Sequence, residues 1–462
     1  MQQINDLGIP PWSQRLQWVL NPVGYMENAF KKYPDLFTAK IVGFGDTILF
    51  VQHPQALQQI LTNDRQQFSA PGKYNKILLP LVGHKSLFCL DGDEHKRERK
   101  LLMPSFHGER MHAYGELIGK ITEKAFSQFS ANEPFIAQVT MQQISLQVIL
   151  KVVFGLYEGE SYEKIAVLLR SILNRFNSPF NSLFLYFPIL QKDLGPWSPW
   201  GIFLRTRKQL DDLIYQEINE CRQNPDPNRI DILSLLIDAK DENGEGMTDE
   251  QLGDELMTLL LAGHETTALA MSWALYWIHR YPQVKEKLVQ ELDDSADFND
   301  PMSIFKLPYL TAVCNETLRI HSVAMLTFPR EVVEPVELLG YDLELGTIVM
   351  GCLYLTHQRE DLYPDAKKFK PERFLERQYS PYEFIPFGGG ARRCIGDALA
   401  QYEMKLALAT ILSNYQLTLA HNRVIKPSRR GVVLSPKGGV KMIFQGKRNR
   451  KTMKSPELSL IS

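Results

Sequence analysis

Residues 247–282 read MTDEQLGDELMTLLLAGHETTALAMSWALYWIHRYP, and no other run constrains the fold as much. Thr248 with Gln251 three residues on is a capping-box pair, and Pro282 closes the far end. Unbroken, such a helix is about 50 Å long at about 1.5 Å per residue. It is apolar nearly all round, so it has no face to offer water and must run through the middle of the molecule. Burying it takes a thick shell of other elements. With 462 residues, 44% of them hydrophobic, the chain has the material for one.

The rest of the pattern supplies a mostly helical shell. Residues 92–187 have largely helical periodicity, and DALAQYEMKLALATILSNY after Cys394 is a further long helix. Strands are few. FTAKIVGFGDTILFVQHP (37–54) reads as a hairpin followed by a helix entered at Pro54, which makes 35–60 the β-containing part. Residues 335–349 read as short strands with turns. Residues 177–201 are aromatic and punctuated by proline, which suits a cover over something apolar better than a polar connection. No repeat or linker divides the chain. The expected organisation is one domain over 1–462, mainly α with a small β region, against the roughly three domains that length alone suggests. A disordered basic tail is expected over about 447–462.

Charge and cysteine usage exclude several classes. Lysine plus arginine is 52 against 53 acids, a net charge of −1, so nothing points to nucleic acid. The first residues contain no apolar run near the roughly 20 residues of a membrane span and no signal pattern. A cytoplasmic protein without a transmembrane anchor is expected. Trp12, Leu16, Trp18 and Val19 form an amphipathic stretch, read as packing on the protein's own surface, with contact to a membrane surface as the alternative. The five cysteines, Cys89, Cys221, Cys314, Cys352 and Cys394, are scattered, odd in number and never in a C-x-x-C. That excludes a disulfide framework and a clustered zinc site.

One cysteine sits in an unusual setting, FGGGARRCIG over 387–396. A dinucleotide fingerprint fails because Arg393 stands where the third glycine belongs, and a P-loop lacks its Gly-Lys-Ser/Thr. His264-Glu265 starts an H-E-x-x-H, but Ala268 takes the second histidine's place. A seat for a single thiolate ligand accounts for each residue type. Glycines at 390 and 396 remove Cβ atoms where backbone would meet a flat macrocycle. Cys394 precedes a helix whose positive end favours S⁻, Arg392 suits a carboxylate on the ring edge, and Phe387 shields the sulfur.

Phe387, Gly390, Arg392, Cys394 and Gly396 match F-x-x-G-x-R-x-C-x-G without a gap. In this the chain resembles the cytochrome P450 superfamily, the haem-thiolate monooxygenases, and more closely its soluble bacterial-type fatty-acid and terpenoid hydroxylases. Three further segments match in order. AGHETT (262–267) resembles the oxygen-activating part of the central helix, with Thr266 bonding back to Ala262 and Glu265 as the acid beside it, an acid–alcohol relay. ETLR with PERF implies a structural ion-pair network of Glu316, Arg319 and Arg373, with Ser322 standing where the family usually has proline. DGDEHKRERKLLMPSF implies a helix whose His95 and Arg99 meet the haem propionates, joined by Arg330 of PRE. Lys96, Arg97 and Lys100 remain as a basic patch for an acidic electron donor.

The resemblance implies the cytochrome P450 fold, with its long central helix over haem b and Cys394 as axial ligand. It implies a monooxygenase that takes O₂ and two electrons. With no flavin or nicotinamide fingerprint in the chain, the electrons come from a separate donor, a ferredoxin with its reductase. By family position the pocket is lined by 74–82, 176–187, Ala262, 323–328 including Val323 and Leu326, and 432–434 including Val432 and Val433. These residues are mostly apolar, so the substrate is lipophilic: a long-chain fatty acid first, a terpenoid next. Arg170, Arg175 and Lys76 are candidates to meet a carboxylate. A monomer is expected. Two other readings are a haem-thiolate isomerase or peroxygenase without an electron donor, and a non-enzymatic haem- or lipid-binding protein. Glu265 and Thr266 argue against both.

Overall fold

The computed structural model of the chain describes residues 5–106, 110–156, 158–176, 179–226 and 228–448. The helix anticipated over 249–280 runs unbroken from Asp249 to Arg280. Both halves of its capping box form: the Thr248 N–H donates to Gln251 Oε1 at 2.8 Å, and the Gln251 N–H donates to Thr248 Oγ1 at 3.2 Å. The chain turns at Tyr281, and Pro282 opens the next helix, Pro282–Ser295.

Helices surround the central one as its lack of a polar face requires. It packs on Ala137–Phe154, Pro199–Gln223, Pro308–Ile320 and Asp397–Asn414. One hydrophobic cluster extends from Leu7 near the start to Phe444 near the end. Leu256, Leu260, Trp273 and Leu275 are fully buried in it. Leu261, Ala262, Gly263 and Thr266 are only half-buried, because they border a cavity.

The strands form small sheets at the edges. Leu36–Ala39 and Ile48–Val51 pair as the expected hairpin and extend into a five-stranded sheet. Its order is Leu36–Ala39, Ile48–Val51, Ile348–Gly351, Arg330–Val332, Phe68–Ser69. The register Arg330↔Val349 brings the PRE arginine beside the cysteine loop's support. A three-stranded sheet joins Glu133–Ile136, Lys441–Lys447 and Tyr415–Leu419. Glu133–Ile136 falls inside the region read as helical, a strand formed only because it pairs with the distant Lys441–Lys447. The expected tail is also corrected at its start. Lys447 ends a strand, and Arg448 donates its N–H to the Asn414 carbonyl and pairs with Asp293. Residues 449–462 lie outside the described residues.

The aromatic segment forms a short helix, Pro179–Tyr186, and a 3₁₀ turn, Pro188–Leu190, before Pro199–Gln223 begins. With the helix Pro11–Leu20 and the hairpin Pro427–Arg430/Val433–Pro436 it roofs the cavity beside the central helix. Gly431 opens that hairpin's two-residue loop at φ +59°, a left-handed position that favours glycine. Within that first helix Trp18 and Val19 are buried, while Trp12 is 70% exposed. Among the described residues no helix is long and apolar enough to cross a membrane.

Candidate functional site

Two contiguous cavities meet along the half-buried stretch of the central helix. The first, about 290 Å³, is a slot between that helix and the cysteine loop. The second, about 260 Å³, is a chamber under the roof. They share Ala262, Thr266, Phe88, Leu326 and Phe328, so a molecule in the chamber lies against the slot across Thr266.

Cys394 faces the slot from the loop before the helix Asp397–Asn414. The loop is closed by the Cys394 N–H donating to the Phe387 carbonyl at 3.0 Å, and Phe387 lines the slot. Cys394 keeps accessible surface, and it lines the slot. Protein surrounds it elsewhere, and burial pushes the thiol up to about 11, opposed by the Gly396 N–H and by the charges of Arg99 and Arg393. Gly396 also lines the slot, and a Cβ there would have only Phe106 Cε1 within reach, at 4.0 Å, so glycine leaves slot space open. Gly390 serves a different purpose from the ring clearance expected of it. It lies outside the slot lining at φ +63°, and a Cβ would fall 2.1 Å from Asp64 Oδ2.

Asp64, which carried no motif, secures this loop. Its carboxylate accepts the Ala391 N–H at 2.6 Å and Arg330 Nε at 2.5 Å. Arg330 also donates to the Gly389 carbonyl at 3.1 Å. Arg330 is the arginine expected to meet the ring edge from its strand. Its guanidinium is occupied by Asp64 and backbone carbonyls, and it does not line the slot.

The slot's edge is cationic. His95, Arg99 and Arg392 line it. The Arg99 guanidinium donates to no protein group among the described residues. Arg392 is buried and donates to the carbonyls of Ala70, Leu87 and Leu90, while Asp91, 3.8 Å away, is its nearest acid. Burial, then the charge of Arg330, lowers Arg392 to about 10. His95 is lowered to about 3 by burial and by Arg392 and Arg99, so it is neutral. A group of cations short of anions, a thiol on the facing wall and a glycine that keeps the floor clear together fit a flat ring with an acidic edge. The donor set fits haem. Among the described residues no group of three or more metal-ligating side chains offers another metal site.

On the opposite wall Thr266 Oγ1 donates to the Ala262 carbonyl at 2.5 Å. The helix stays continuous there, so this bond opens no break. Gly263 instead allows a close approach: a Cβ would lie 2.7 Å from Ile149 Cδ1. Glu265 is less free than its motif indicates. Arg430 Nε pairs with it at 2.6 Å, and Gln142 Nε2 donates to both carboxylate oxygens at 2.9 and 3.0 Å. Arg430, from the roofing hairpin, gave no signal in the sequence.

Glu316, Arg319 and Arg373 come together as a fully enclosed network. Arg319 is bidentate on Glu316 at 2.6 and 2.8 Å, and Arg373 Nε is 3.2 Å away. Its link to the cysteine loop is traceable. Arg319 Nη1 donates to the His357 carbonyl at 2.6 Å, and His357 Nε2 accepts the Ile385 N–H at 2.9 Å, next to the loop. Nδ1 of the same ring lies 2.8 Å from Ser322 Oγ, which gives the serine at the family's proline position a function.

The chamber is lined by Leu78, Leu81, Val82, Phe176, Leu185, Tyr186, Val432 and Val433 from the expected segments. Trp18, Phe44 and Leu173 join them. Val323 lines the slot instead of the chamber, and Leu434 lines neither. Arg170, Arg175 and Lys76 do not line the chamber. The basic patch is also reduced, because Arg97 pairs with Asp241 at 2.5 Å and Lys100 with Glu242, leaving Lys96 exposed.

A sequence model of the family described as Cytochrome P450 matches residues 10–444. A putative cytochrome P450 135B1 of Mycobacterium tuberculosis is 32% identical over 456 residues, covering 97% of this chain and 94% of its own. A putative cytochrome P450 138 of the same species is 31% identical, covering 94% and 95%. Among solved structures, retinoic acid bound cyanobacterial CYP120A1 superposes with a TM-score of 0.83 at 23% identity, covering 96% of this chain and 99% of that one. A cytochrome P450DA mutant heme domain superposes with the same TM-score at 20% identity, covering 97% and 98%.

Proposed function

The chain belongs to the cytochrome P450 family, the haem-thiolate monooxygenases, and from that premise we propose that it hydroxylates a lipophilic molecule held in the roofed chamber. The observation that carries this is the contiguity of an apolar chamber with the cysteine slot across Thr266. Haem b, bound through a cysteine thiolate, supplies the activation of O₂ when present. Cys394 is its proposed ligand, Arg99 and Arg392 neutralise its acidic edge, neutral His95 offers that edge a hydrogen bond, and Gly396 leaves it room.

The chain's own part is positioning and proton supply. Val432, Val433, Leu185 and Phe176 exclude water and hold the substrate against the slot. Thr266 presents a hydroxyl at the boundary, and Glu265 stands next to it as a carboxylate held by Arg430 and Gln142. This acid–alcohol arrangement favours a monooxygenase over a donor-independent isomerase or peroxygenase, and over a haem- or lipid-binding protein without chemistry. Electrons come from a separate protein, for which a ferredoxin with its reductase is the proposed source. All five cysteines are free, which suits the reducing cytoplasm.

For the substrate, the chamber favours an uncharged terpenoid-sized skeleton. Its two charged lining residues, Glu265 and Arg430, already satisfy each other. A fatty acid is the second reading, supported by Arg430, the cation a carboxylate would have to win from Glu265. Titrating the ferric Soret band of the purified protein with neutral sesquiterpenes and with long-chain acids separates them. Terpenoids alone should shift it. A shift by acids alone reverses the preference, and a reduced carbon-monoxide spectrum of a histidine-ligated haem overturns the reading altogether.

A further inference from the structure

Glu255 lies on the cavity-facing stripe of the central helix, in line with Leu259, Ala262 and Thr266. It is fully buried and lines the slot. Its Oε1 accepts the Leu87 N–H at 2.5 Å, whereas Oε2 has no partner. The Leu87 carbonyl accepts from Arg392 Nη1 at 2.6 Å. A single residue therefore separates the free carboxyl oxygen from the guanidinium assigned to the ring's acidic edge. Glu98, on the helix Gly92–Leu102, and Asp254, on the central helix, are the charges that act on Glu255, and both are acids. Burial, opposed by the Leu87 N–H and reinforced by those acids, pushes the Glu255 carboxyl well above the usual range, toward its protonated form. A protonated carboxyl has an O–H to donate, and a buried polar atom without a partner costs stability.

We propose that Glu255 is a haem-positioning residue, its Oε2–H the hydrogen-bond donor that meets the carboxylate at the ring edge carried by Arg392 and His95. The empty valence of Oε2 is then not a defect of the fold. It is a contact completed by the cofactor, and a neutral donor adds it without increasing the cationic charge that already depresses His95 and Arg392. This rests on the haem reading above.

The test compares wild type, Glu255→Gln and Glu255→Leu as haem-loaded protein and as apoprotein. Glutamine keeps an acceptor for the Leu87 N–H and a donor for the ring edge, so haem transfer to a haem-free globin should stay near the wild-type rate. Leucine should speed that transfer roughly tenfold or more, the worth of one hydrogen bond to a charged acceptor. Melting should separate two roles of the residue. Leucine orphans the Leu87 N–H in both forms, so both melting temperatures should fall, but that of the loaded protein, which also loses the ring-edge contact, should fall further. If both temperatures fall equally while haem transfer is unchanged, Glu255 merely ties the helix to Leu87 and the proposal fails. It fails equally if the infrared difference between wild type and Glu255→Gln shows no protonated carboxyl that shifts on haem binding. A wild type that takes up no porphyrin overturns the haem reading itself, and this proposal with it.

Discussion

At the scale of residues, one acid controls the cysteine loop. Asp64 holds Ala391 and Arg330 together, with 9% and 1% of the Asp64 and Arg330 side chains exposed. Removing one member of so buried a pair leaves the other charge uncompensated. Asp64→Ala should lower stability by about 3–5 kcal/mol in denaturant titration. The proposed proton path is tested at Thr266, whose hydroxyl lies at the boundary of slot and chamber. Thr266→Ala should leave ligand-induced Soret shifts intact and divert donor electrons into hydrogen peroxide, measured as peroxide formed per donor oxidised. Unchanged coupling would remove Thr266 from the proton path.

At the scale of elements, the central helix is held by fit more than by local propensity. The seam where it crosses Ala137–Phe154 depends on Gly263, whose missing side chain admits Ile149. Gly263→Ala should cost about 1–3 kcal/mol through overpacking. Ile149→Val in the same chain should recover most of that loss, because the Ile149 Cδ1 it removes is the atom a Cβ would meet at 2.7 Å. Additive effects in a double-mutant cycle, measured by urea unfolding, would show that the two side chains do not meet. The roofing hairpin is likewise tied to the central helix, by the 2.6 Å pair of Arg430 with Glu265.

At the scale of the whole molecule, buried titratable groups set a pH window. His95, His264, His279, His321 and His357 are each lowered from 6.5 to about 3, chiefly by burial. Their folded values lie below the unfolded one, so the stability they confer is full above pH 6.5 and is lost as pH falls toward 3. Glu403, raised by burial from 4.5 to about 8, acts in the opposite sense, and its contribution is full below pH 4.5 and lost as pH rises toward 8. Melting temperature should therefore peak near neutrality, with the steeper decline on the acid side, where five groups titrate in the same direction. A flat profile between pH 4 and 7 would contradict the neutral state of the buried histidines.

The sequence by itself determined the features written in local pattern: the capped, all-round apolar helix, the glycine-flanked cysteine before another helix, and the Glu–Arg spacing of 316 and 319. Each is a statement about neighbours in the chain, and period, capping and spacing record such statements directly. Tertiary structure alone decided what those features touch. Asp64 and Arg430 carry no motif, yet one bolts the cysteine loop and the other holds Glu265. Glu133–Ile136 became a strand through pairing with residues some three hundred positions away, and Arg330 pairs with Asp64, 266 positions away. These outcomes depend on which distant groups folding brings within a few ångströms of each other, where burial makes a hydrogen bond or a charge worth satisfying.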